Sequence, residues 1–478
     1  MAARIRRNVW SLPAGDGTLD WYRRAVAALI PQPAALTNSW RYLAAIHGVP
    51  QGQTVPAGAG AFWDQCQHQS WFFLPWHRGY LASFESVVAR QVADLGGPPD
   101  WAVPYWDYSE SLASNPNARL LPPAFRDRLL PDGSANALWS RRAAAVNGDF
   151  GLGPSVVNLA ALALQNFTNS QPGVPSGFGG PVTGFNPGGG DNGALESVPH
   201  NRIHTRLGGS NGFMAFPDTA ALDPIFWLHH CNIDRLWEVW RNQGAGFANP
   251  SAPQWRSGVR FAMHDGSGAA FSFVAADMLD TTQVLHGYRY DTVPPATEPA
   301  VLGGIEMVAA DSSRPEMAGA SAAPVQLVGD MTRVDLVLQP KLAGKSFTES
   351  ALPRPTRVFL NLENITGTGG PGDFTVFVDL PDDDQPPVFV GMMTTFGLER
   401  ASNAESFHGG SGLSQIFEIT DAAERLRLTD ASTAKVQVSF VRETPIASDE
   451  AAPEGLLEFV RPMAEAAIKV GRVSLFYQ

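Results

Sequence analysis

The stretch Cys66-Gln-His-Gln-Ser-Trp-Phe-Phe-Leu-Pro-Trp-His-Arg-Gly-Tyr80 decides how this chain folds. It separates His68 from His77 by nine positions and fills the interval with large aromatic side chains. The chain has ten histidines, and seven of them lie at position 47, in this stretch, or in a second stretch downstream. Imidazoles gathered in an apolar sequence indicate a buried metal site.

The second stretch comprises Pro199-His-Asn-Arg-Ile-His204 and Asp223-Pro-Ile-Phe-Trp-Leu-His-His-Cys-Asn-Ile-Asp-Arg235. On a helix, His200 and His204 are one turn apart and point the same way. The adjacent residues His229 and His230 cannot do so, since helical neighbours differ by about 100°. We therefore predict that one of this pair binds metal and the other lies behind it.

The composition limits the classes of partner. The chain has 478 residues, 44% hydrophobic and 17% charged, which is enough for two or three globular domains. Its net charge is −12, and an acidic surface repels nucleic acid phosphates. No apolar run approaches the ~20 residues that span a membrane. We expect neither nucleic acid nor a membrane as a partner.

The N-terminus, Met1-Ala-Ala-Arg-Ile-Arg-Arg-Asn8, lacks the apolar core of a secretory signal. We therefore expect a protein that is cytoplasmic or is exported without a signal peptide of its own. The two cysteines, Cys66 and Cys231, are too few for a disulfide framework. Each lies close to a histidine in sequence, which favours a role at the site.

Apolar periodicity predicts a mainly helical N-terminal part with long loops. The predicted helices cover residues 20–30, 39–47, 78–95, 195–207 and 223–240, with two short helices at 123–130 and 135–146. The glycine-rich residues 178–190 are predicted either as a surface loop or as one wall of the site. From 292 to 323 the composition shifts to Pro, Ala, Ser and Gly, which predicts a linker. Beyond it, alternating segments predict an antiparallel β-sandwich or barrel over 324–478.

The type of ligand indicates which metal. Catalytic zinc usually takes three protein ligands, often with a carboxylate among them, and non-haem iron prefers two histidines and one carboxylate. An all-imidazole set suits copper. The histidines form two groups of three, which predicts two copper ions: His47, His68 and His77 in one group, and His200, His204 and His230 in the other.

Three of the residues near the site have a plain alternative. His47 ends its predicted helix, where an imidazole can simply act as a C-terminal cap. Asp234 is four residues from His230 and can orient that imidazole or form an ion pair instead. Cys66 can bind metal, lie inert, or bond covalently to the His68 imidazole.

These residues resemble the type-3 copper family of tyrosinases, catechol oxidases (polyphenol oxidases) and hemocyanins. Cys66-x-His-x8-His-Arg78 is similar to the family's first copper signature. His200-Asn-x-x-His204, followed by Asp223-Pro-x-Phe-x-x-His-His-x-x-x-Asp-Arg-x-Trp237, is similar to the second. The resemblance implies the same six ligands, two coppers (Cu A and Cu B) and O₂ as co-substrate.

The resemblance extends over nearly the whole chain. Arg6-Arg7 and Gly287-Tyr-Arg-Tyr290 are similar to the paired ends of the family's catalytic domain, and Val358–Ile365 is similar to part of the C-terminal domain of plant polyphenol oxidases. It implies a four-helix-bundle di-copper domain over 1–291, the linker 292–323, and a β-sandwich over 324–478 that can act as a lid.

The resemblance also implies roles for individual residues. Glu196 and Asn201 flank His200 and would hold a water that deprotonates a phenol, although Glu196 could instead cap a helix N-terminus. A thioether would join Cys66 to His68. The implied supporting residues behind the ligands are His229, Asp234 and Phe226, and the implied entrance residues are Arg202, Thr205, Met214 and Phe216.

The expected function is that of a copper-dependent monooxygenase and catechol oxidase. It would hydroxylate small monophenols at the ortho position and oxidise o-diphenols to o-quinones, with a copper chaperone as a candidate partner. One alternative is a catechol or o-aminophenol oxidase without monophenolase activity. Another is a hemocyanin-like oxygen carrier, which would share the metal site.

Overall fold

The computed structural model describes ten stretches of the chain and is helical in its first half and β-rich in its second. The described residues are 3–148, 151–169, 171–294, 314–338, 357–370, 372–380, 386–405, 410–428, 435–462 and 466–478. Among them, no helix combines the length and the apolar character that crossing a membrane requires.

The described residues of the first half form six α-helices, together with short 3-10 turns. They are α1 (Thr18–Leu29), α2 (Trp40–His47), α3 (Phe73–Asp94), α4 (Arg202–Gly208), α5 (Pro224–Arg241) and α6 (Pro253–Ser257). Ser39 caps α2 by accepting a hydrogen bond from the Tyr42 N–H, and Asp223 caps α5 in the same way. The predictions for α1, α2 and α5 are confirmed.

Helix α3 begins earlier than predicted. The predicted helix covered 78–95, whereas α3 begins at Phe73 and includes Pro75 in its first turn. A proline is tolerated there because the first N–H groups of a helix have no partner within the helix. As a result, His77 lies within the N-terminal part of α3 instead of opening it.

Two other helix predictions were wrong. The only helical element in the described residues of 123–146 is a 3-10 turn at Pro123–Phe125. Polar groups of this segment instead form hydrogen bonds with Asp223 and Leu207, which are distant in the sequence. The predicted helix 195–207 is divided. A π-helical turn at Glu196–Asn201 precedes α4. Its residue Val198 is not helical, because a residue directly before a proline disfavours the helical conformation.

The core of the helical half lies between α3 and α5. The rings of Phe84 on α3 and Trp227 on α5 stack with centroids 3.7 Å apart. Strand β1 (Arg4–Arg6) pairs in parallel with β5 (Tyr288–Tyr290). The two ends of this half therefore lie together, beside the core.

The other strands are β2 (Gly190–Asp191), the hairpin β3 (Phe261–His264) and β4 (Ala270–Phe273), and those of the C-terminal half. The latter are β6 (Glu316–Ser321), β7 (Val325–Leu327), β8 (Met331–Leu338), β9 (Val358–Thr368), β10 (Phe374–Asp379), β11 (Val388–Met393), β12 (Leu413–Glu418), β13 (Lys435–Arg442) and β14 (Ala467–Tyr477). Two short helices, Leu398–Ser402 and Thr420–Arg425, complete this half.

The prediction of a β-rich C-terminal domain is confirmed, with two differences in detail. Hydrogen bonds join its strands and β2 into one ten-stranded sheet, whereas a sandwich has two separate sheets. Strand β6 lies inside the predicted linker and pairs with both β14 and β8. Residues 295–313 of that linker lie outside the described residues. The four-helix bundle stays a prediction.

Candidate metal centre

His47, His68 and His77 come together from the end of α2, the loop after it and the start of α3. Their ring centroids are 5.3–5.7 Å apart. The Nδ1 of His47 hydrogen-bonds the Pro217 carbonyl at 2.6 Å, so His47 does not serve as a cap of its own helix. The Nδ1 of His77 bonds the Phe73 carbonyl at 2.8 Å. These bonds place the proton on Nδ1 and leave Nε2 free to bind metal.

A second group comes from the π-turn, α4 and α5. The Nδ1 of His200 donates to Asn201 Oδ1 at 2.9 Å, and the Nδ1 of His204 donates to the Met214 carbonyl at 3.1 Å. The Nε2 atoms of His204 and His230 lie 3.4 Å apart. Two nitrogens adopt that spacing when each lies ~2.0 Å from one ion at an angle of roughly 115°.

The two groups face each other across a short gap. The rings of His77 and His230 are parallel, with centroids 4.4 Å apart. Phe226 packs on His230 at 4.1 Å and on His47 at 5.0 Å, so it supports both groups, as predicted. In each group the ligand atoms lie within 4.8 Å of one another. The groups are His47, Cys66, His68 and His77, and His200, His204, His229 and His230.

The two adjacent histidines on α5 have different neighbours, and the prediction that only one of them binds metal stays a prediction. His229 is held from behind by the Tyr108 hydroxyl, 3.0 Å from its Nδ1, whereas His230 lies between the two groups. His229 nevertheless offers a ring nitrogen to the second group, and its Nε2 is buried without a hydrogen-bond partner. The hydrogen bond from Tyr108 was not predicted, and nothing in the sequence indicates it.

The electrostatics of the centre fit copper. Burial lowers the pKa of His47 and of His200 to about 3, so these imidazoles are neutral and available as ligands. Their Nε2 atoms are buried and have no hydrogen-bond partner, which is unfavourable for a polar atom unless a ligand satisfies it. Each group offers neutral imidazoles and no carboxylate, the donor set that suits copper.

Cys66 lies against the first group. Its Sγ is 3.4 Å from Nδ1 and 3.6 Å from Nε2 of His68, and also 3.6 Å from Nε2 of His77. The sulfur therefore lies against the His68 ring, as a Cys66–His68 thioether requires, and the bond stays a prediction.

Glu196 is fully buried beside the second group, where it does not act as a simple helix cap. Its carboxylate accepts hydrogen bonds from the Gln69 backbone N–H at 2.9 Å and from the Gln69 side chain at 3.3 Å. Burial raises the pKa of Glu196 to about 8, although the Gln69 N–H opposes the shift.

Asn201 reaches Glu196 only through two residues that the sequence analysis missed. The amide of Gln69 donates to Asn192 Oδ1 at 2.8 Å, and the amide of Asn201 donates to the same oxygen at 3.2 Å. Gln69 directly follows a ligand, which is a usable sequence signal. The glycine-rich loop also contacts Gln69, through the Gly189 N–H at 2.9 Å, so it forms a wall of the site.

Of the two alternatives for Asp234, the structure supports the ion pair and not the orientation of His230. The Asp234 carboxylate instead accepts hydrogen bonds from Arg78 at 2.6 Å, Arg6 at 3.4 Å and the Tyr290 hydroxyl at 2.6 Å, and Nδ1 of His230 has no partner. Two buried arginines attract the carboxylate more strongly than a neutral imidazole does. Asp234 therefore ties β1 and β5 to the core.

Phe396 of the C-terminal domain covers the centre and was not predicted. Its ring stacks on His204 with centroids 4.2 Å apart and meets the edges of His68 and His200 at 5.7 and 5.8 Å. Gly397 follows with φ +82°, a conformation that glycine adopts without strain. This turn holds Phe396 at the tip of a loop. An aromatic residue between threonines and a glycine gives no distinctive sequence signal.

Three of the four predicted entrance residues contact the C-terminal domain. Arg202 pairs with Asp373 and Glu443, and Thr205 donates to Asp373 at 2.6 Å. The Arg461 guanidinium lies 4.3 Å above the Phe216 ring. Met214 is fully buried, and its backbone carbonyl bonds His204. Met214 therefore helps to orient the ligand His204.

Comparison with known proteins agrees with this geometry. The family described as the common central domain of tyrosinase matches residues 37–136 and 155–243, and a family described as a domain of unknown function (DUF7868) matches 314–478. The chain is 36% identical to tyrosinase HcTyr1 of Hahella sp. over 99% of both chains. It is 31% identical to catechol oxidase B of Solanum tuberosum over 48% of this chain and 39% of that protein.

Solved structures share the fold. A structure of latent apple tyrosinase superposes with a TM-score of 0.61 and 20% identity, covering 100% of this chain and 98% of the other. A tyrosinase from Burkholderia thailandensis superposes with a TM-score of 0.51 and 16% identity over 98% and 100% of the two chains. With two facing histidine groups suited to two copper ions, and O₂ as co-substrate, the chain belongs to the tyrosinase family of type-3 copper oxidases, which act on phenols.

Proposed function

We propose that this oxidase is a tyrosinase with both monophenolase and o-diphenolase activity. It converts one monophenol and one O₂ into one o-quinone and one water, and two o-diphenols and one O₂ into two o-quinones and two waters. The bound copper pair supplies O₂ binding and electron exchange. We assign His47, His68 and His77 to one copper, and His200, His204 and His230 to the other.

The buried carboxylate of Glu196 is the observation that carries the monophenolase proposal. A phenol has a pKa near 10 and must lose its proton before it can act as a ligand. Transfer of the phenol proton to a glutamate of ordinary pKa would cost roughly 8 kcal/mol, whereas its transfer to a group with a pKa of about 8 costs roughly 3 kcal/mol. A carboxyl with a pKa of about 8 is largely protonated at about pH 7, so Glu196 takes the proton, directly or through a water, in its ionised form, which becomes more populated as the pH rises toward 8.

Gln69 and Asn192 act as positioning residues in this proposal. Gln69 holds the Glu196 carboxylate, and Asn192 holds the Asn201 amide whose oxygen fixes the Nδ1 proton of His200. The network thus sets both the base and the tautomer of a ligand. A displacement of either would weaken proton transfer or copper binding.

We also propose that the C-terminal domain keeps the enzyme latent. The phenyl ring of Phe396 occupies the space next to His204 that a phenol ring would need. The surrounding contacts at Arg202, Thr205 and Phe216 hold this domain against the mouth of the site.

The test compares a monophenol with its matched o-diphenol, using the copper-loaded full chain with Phe396→Gly. Turnover of both supports the proposal. Glu196→Gln should then lower monophenol turnover by about 100-fold, in the range of a lost general base, and diphenol turnover by less. Gln69→Glu places a second carboxylate beside that of Glu196 and tests whether Gln69 positions it.

Each other outcome favours a different function. Turnover of the diphenol alone would make the protein a catechol oxidase. Turnover of both substrates with equal losses in Glu196→Gln would keep the tyrosinase function and remove the proposed role of Glu196. Reversible O₂ binding without turnover of either substrate would favour an oxygen carrier.

A further inference from the structure

One short segment of the helical half orients a histidine from each of the two groups. The Met214 carbonyl accepts a hydrogen bond from Nδ1 of His204 at 3.1 Å, and the Pro217 carbonyl accepts one from Nδ1 of His47 at 2.6 Å. Both carbonyls lie in residues 214–218, which we call the bridging segment. Because a metal-bound imidazole is oriented through its second nitrogen, a shift of the bridging segment would turn an imidazole in both groups at once.

The bridging segment packs directly against the ends of the helices that carry these histidines. A Cβ atom on Gly48, directly after α2, would lie 2.8 Å from the Cα of Asp218. A Cβ atom on Gly208, the last residue of α4, would lie 2.2 Å from the backbone nitrogen of Ala215. Only glycine fits at such distances. The backbone of the segment therefore contacts both helices with no side chain between them that could absorb a shift.

Arg461 of the C-terminal domain contacts the bridging segment in two ways. Its Nη2 donates a hydrogen bond to Oδ2 of Asp218 at 3.0 Å, and its guanidinium lies 4.3 Å above the ring of Phe216. The guanidinium is itself fixed, since its Nη1 donates to the carboxylate of Glu399. A planar guanidinium can bind carboxylates at its edge and an aromatic ring at its face. Arg461 thus holds the segment on both sides of Pro217.

We propose that Arg461 is a positioning residue for the copper pair, so that the C-terminal domain holds copper ligands in addition to covering them. Arg461 fixes the bridging segment through Asp218 and Phe216, and the segment fixes the Nδ1 hydrogen bonds of His47 and His204. Loss of a group that orients a metal-bound imidazole typically weakens metal binding by about 10- to 100-fold. This inference rests on the ligand assignment proposed above.

The test measures the loss of copper from the full-length protein. Parent and variants are loaded with two copper ions per chain, placed in excess EDTA, and sampled over time by elemental analysis after desalting. Arg461→Gln should lose copper about tenfold faster than the parent, and both ions should leave at the faster rate. Arg461→Lys keeps the charge without the planar fork and should give an intermediate rate. Faster loss that stops at one ion per chain would overturn the bridging role.

Glu458→Gln is the matched control. Glu458 also joins the C-terminal domain to the helical half, but its partner at 2.8 Å is Arg41, at the other end of α2 from His47. Equal acceleration in this control would show that any weakening of the domain contact releases copper, and the proposal would fail. It would also fail if folded Arg461→Gln kept its copper as long as the parent does. Asp218→Asn removes the same ion pair from the other side and should reproduce the result if Arg461→Gln does not fold.

Hydrogen exchange in the copper-free protein tests the positioning role without metal. The Phe216 carbonyl accepts hydrogen bonds from the N–H groups of Thr219 at 3.1 Å and Ala220 at 2.9 Å. These two amides should exchange faster in Arg461→Gln than in Glu458→Gln, because the segment opens more often once its contact is lost; equal rates would overturn the proposal. If the copper-loaded protein oxidises neither phenol even without its covering ring, while copper loss and exchange both respond to Arg461, the proposed oxidase function fails and the positioning role remains.

Discussion

Truncating Phe396 should activate the full-length protein. Phe396 is 1% exposed and contacts three of the ligand histidines. Removal of a buried phenyl group costs about 3–5 kcal/mol in total. Each aromatic pair contributes about 0.5–1.5 kcal/mol beyond its buried area, so we assign about 2–4 kcal/mol of the loss to contact with the catalytic half.

This magnitude sets the expected rise in activity. If the contact holds the covered state closed, losing 2–4 kcal/mol changes the open population by about 30- to 1,000-fold, at 1.4 kcal/mol per factor of ten. The vacated space would in addition admit a phenol ring while the domain stays docked. We therefore expect Phe396→Ala to oxidise a simple o-diphenol at least about 30-fold faster than the parent protein.

The assay is quinone absorbance in air at matched copper content, with far-ultraviolet circular dichroism to verify folding. The control is Phe389→Ala on β11 of the same domain, whose side chain is 53% exposed and which should leave the rate unchanged. The reasoning is refuted if folded, copper-loaded Phe396→Ala turns over no faster than the parent protein.

Three further predictions concern the centre and its support. His230→Gln should halve the copper content in elemental analysis while His229→Gln retains both ions; the reverse result would exchange their roles. The intact mass of the copper-matured, reduced and denatured chain should be two hydrogens lower than the sequence mass, because O₂ removes them as Cys66 Sγ bonds a ring carbon of His68; Cys66→Ser should show the full mass, and an unmodified parent would disprove the bond. Arg78 and Arg6 outweigh burial and lower the pKa of Asp234, so its stabilisation is present above its unfolded pKa of ~3.9 and is lost as pH falls through the lower folded value. Asp234→Asn should therefore lower the free energy of unfolding by about 3–5 kcal/mol at about pH 7 and equally at about pH 5, and by less near pH 3, in urea titrations; an equal loss at all three would contradict this account.

The sequence was most informative where local rules and chemistry agree. The predicted ranges 39–47 and 223–240 agree to within one residue with the ligand helices α2 and α5, whose caps are Ser39 and Asp223. The i, i+1 spacing of His229 and His230 predicted that only one of them binds metal, and this stays a prediction because both imidazoles lie in the second group. Imidazole is distinctive enough, and rare enough in this chain, that residue type and spacing alone grouped six histidines into two sets of ligands.

Prediction failed where tertiary contacts decide the conformation. Residues 135–146 have helical periodicity, but Arg142 turns inward to pair with Asp223 at 2.6 Å, and this buried ion pair outweighs local propensity. Asp234 likewise has the right helical spacing to support His230. Nothing in the local sequence shows that Arg6, 228 residues earlier, arrives at the same carboxylate.

The residues of the C-terminal domain that cover the metal centre, Phe396 and Asp373, were not predicted from the sequence, and the reason is physical. The copper ligands are constrained by coordination chemistry, which leaves a pattern of spacing along the chain. Phe396 and Asp373 are constrained only by the shape and charge of what they cover, and a phenyl ring and a carboxylate on two separate loops leave no such pattern. Their identity becomes informative only after His204 and Arg202 have been placed opposite them. A residue that covers a site is therefore best interpreted through its partner, and the partners here are the His204 imidazole under the Phe396 ring and the Arg202 guanidinium beside the Asp373 carboxylate.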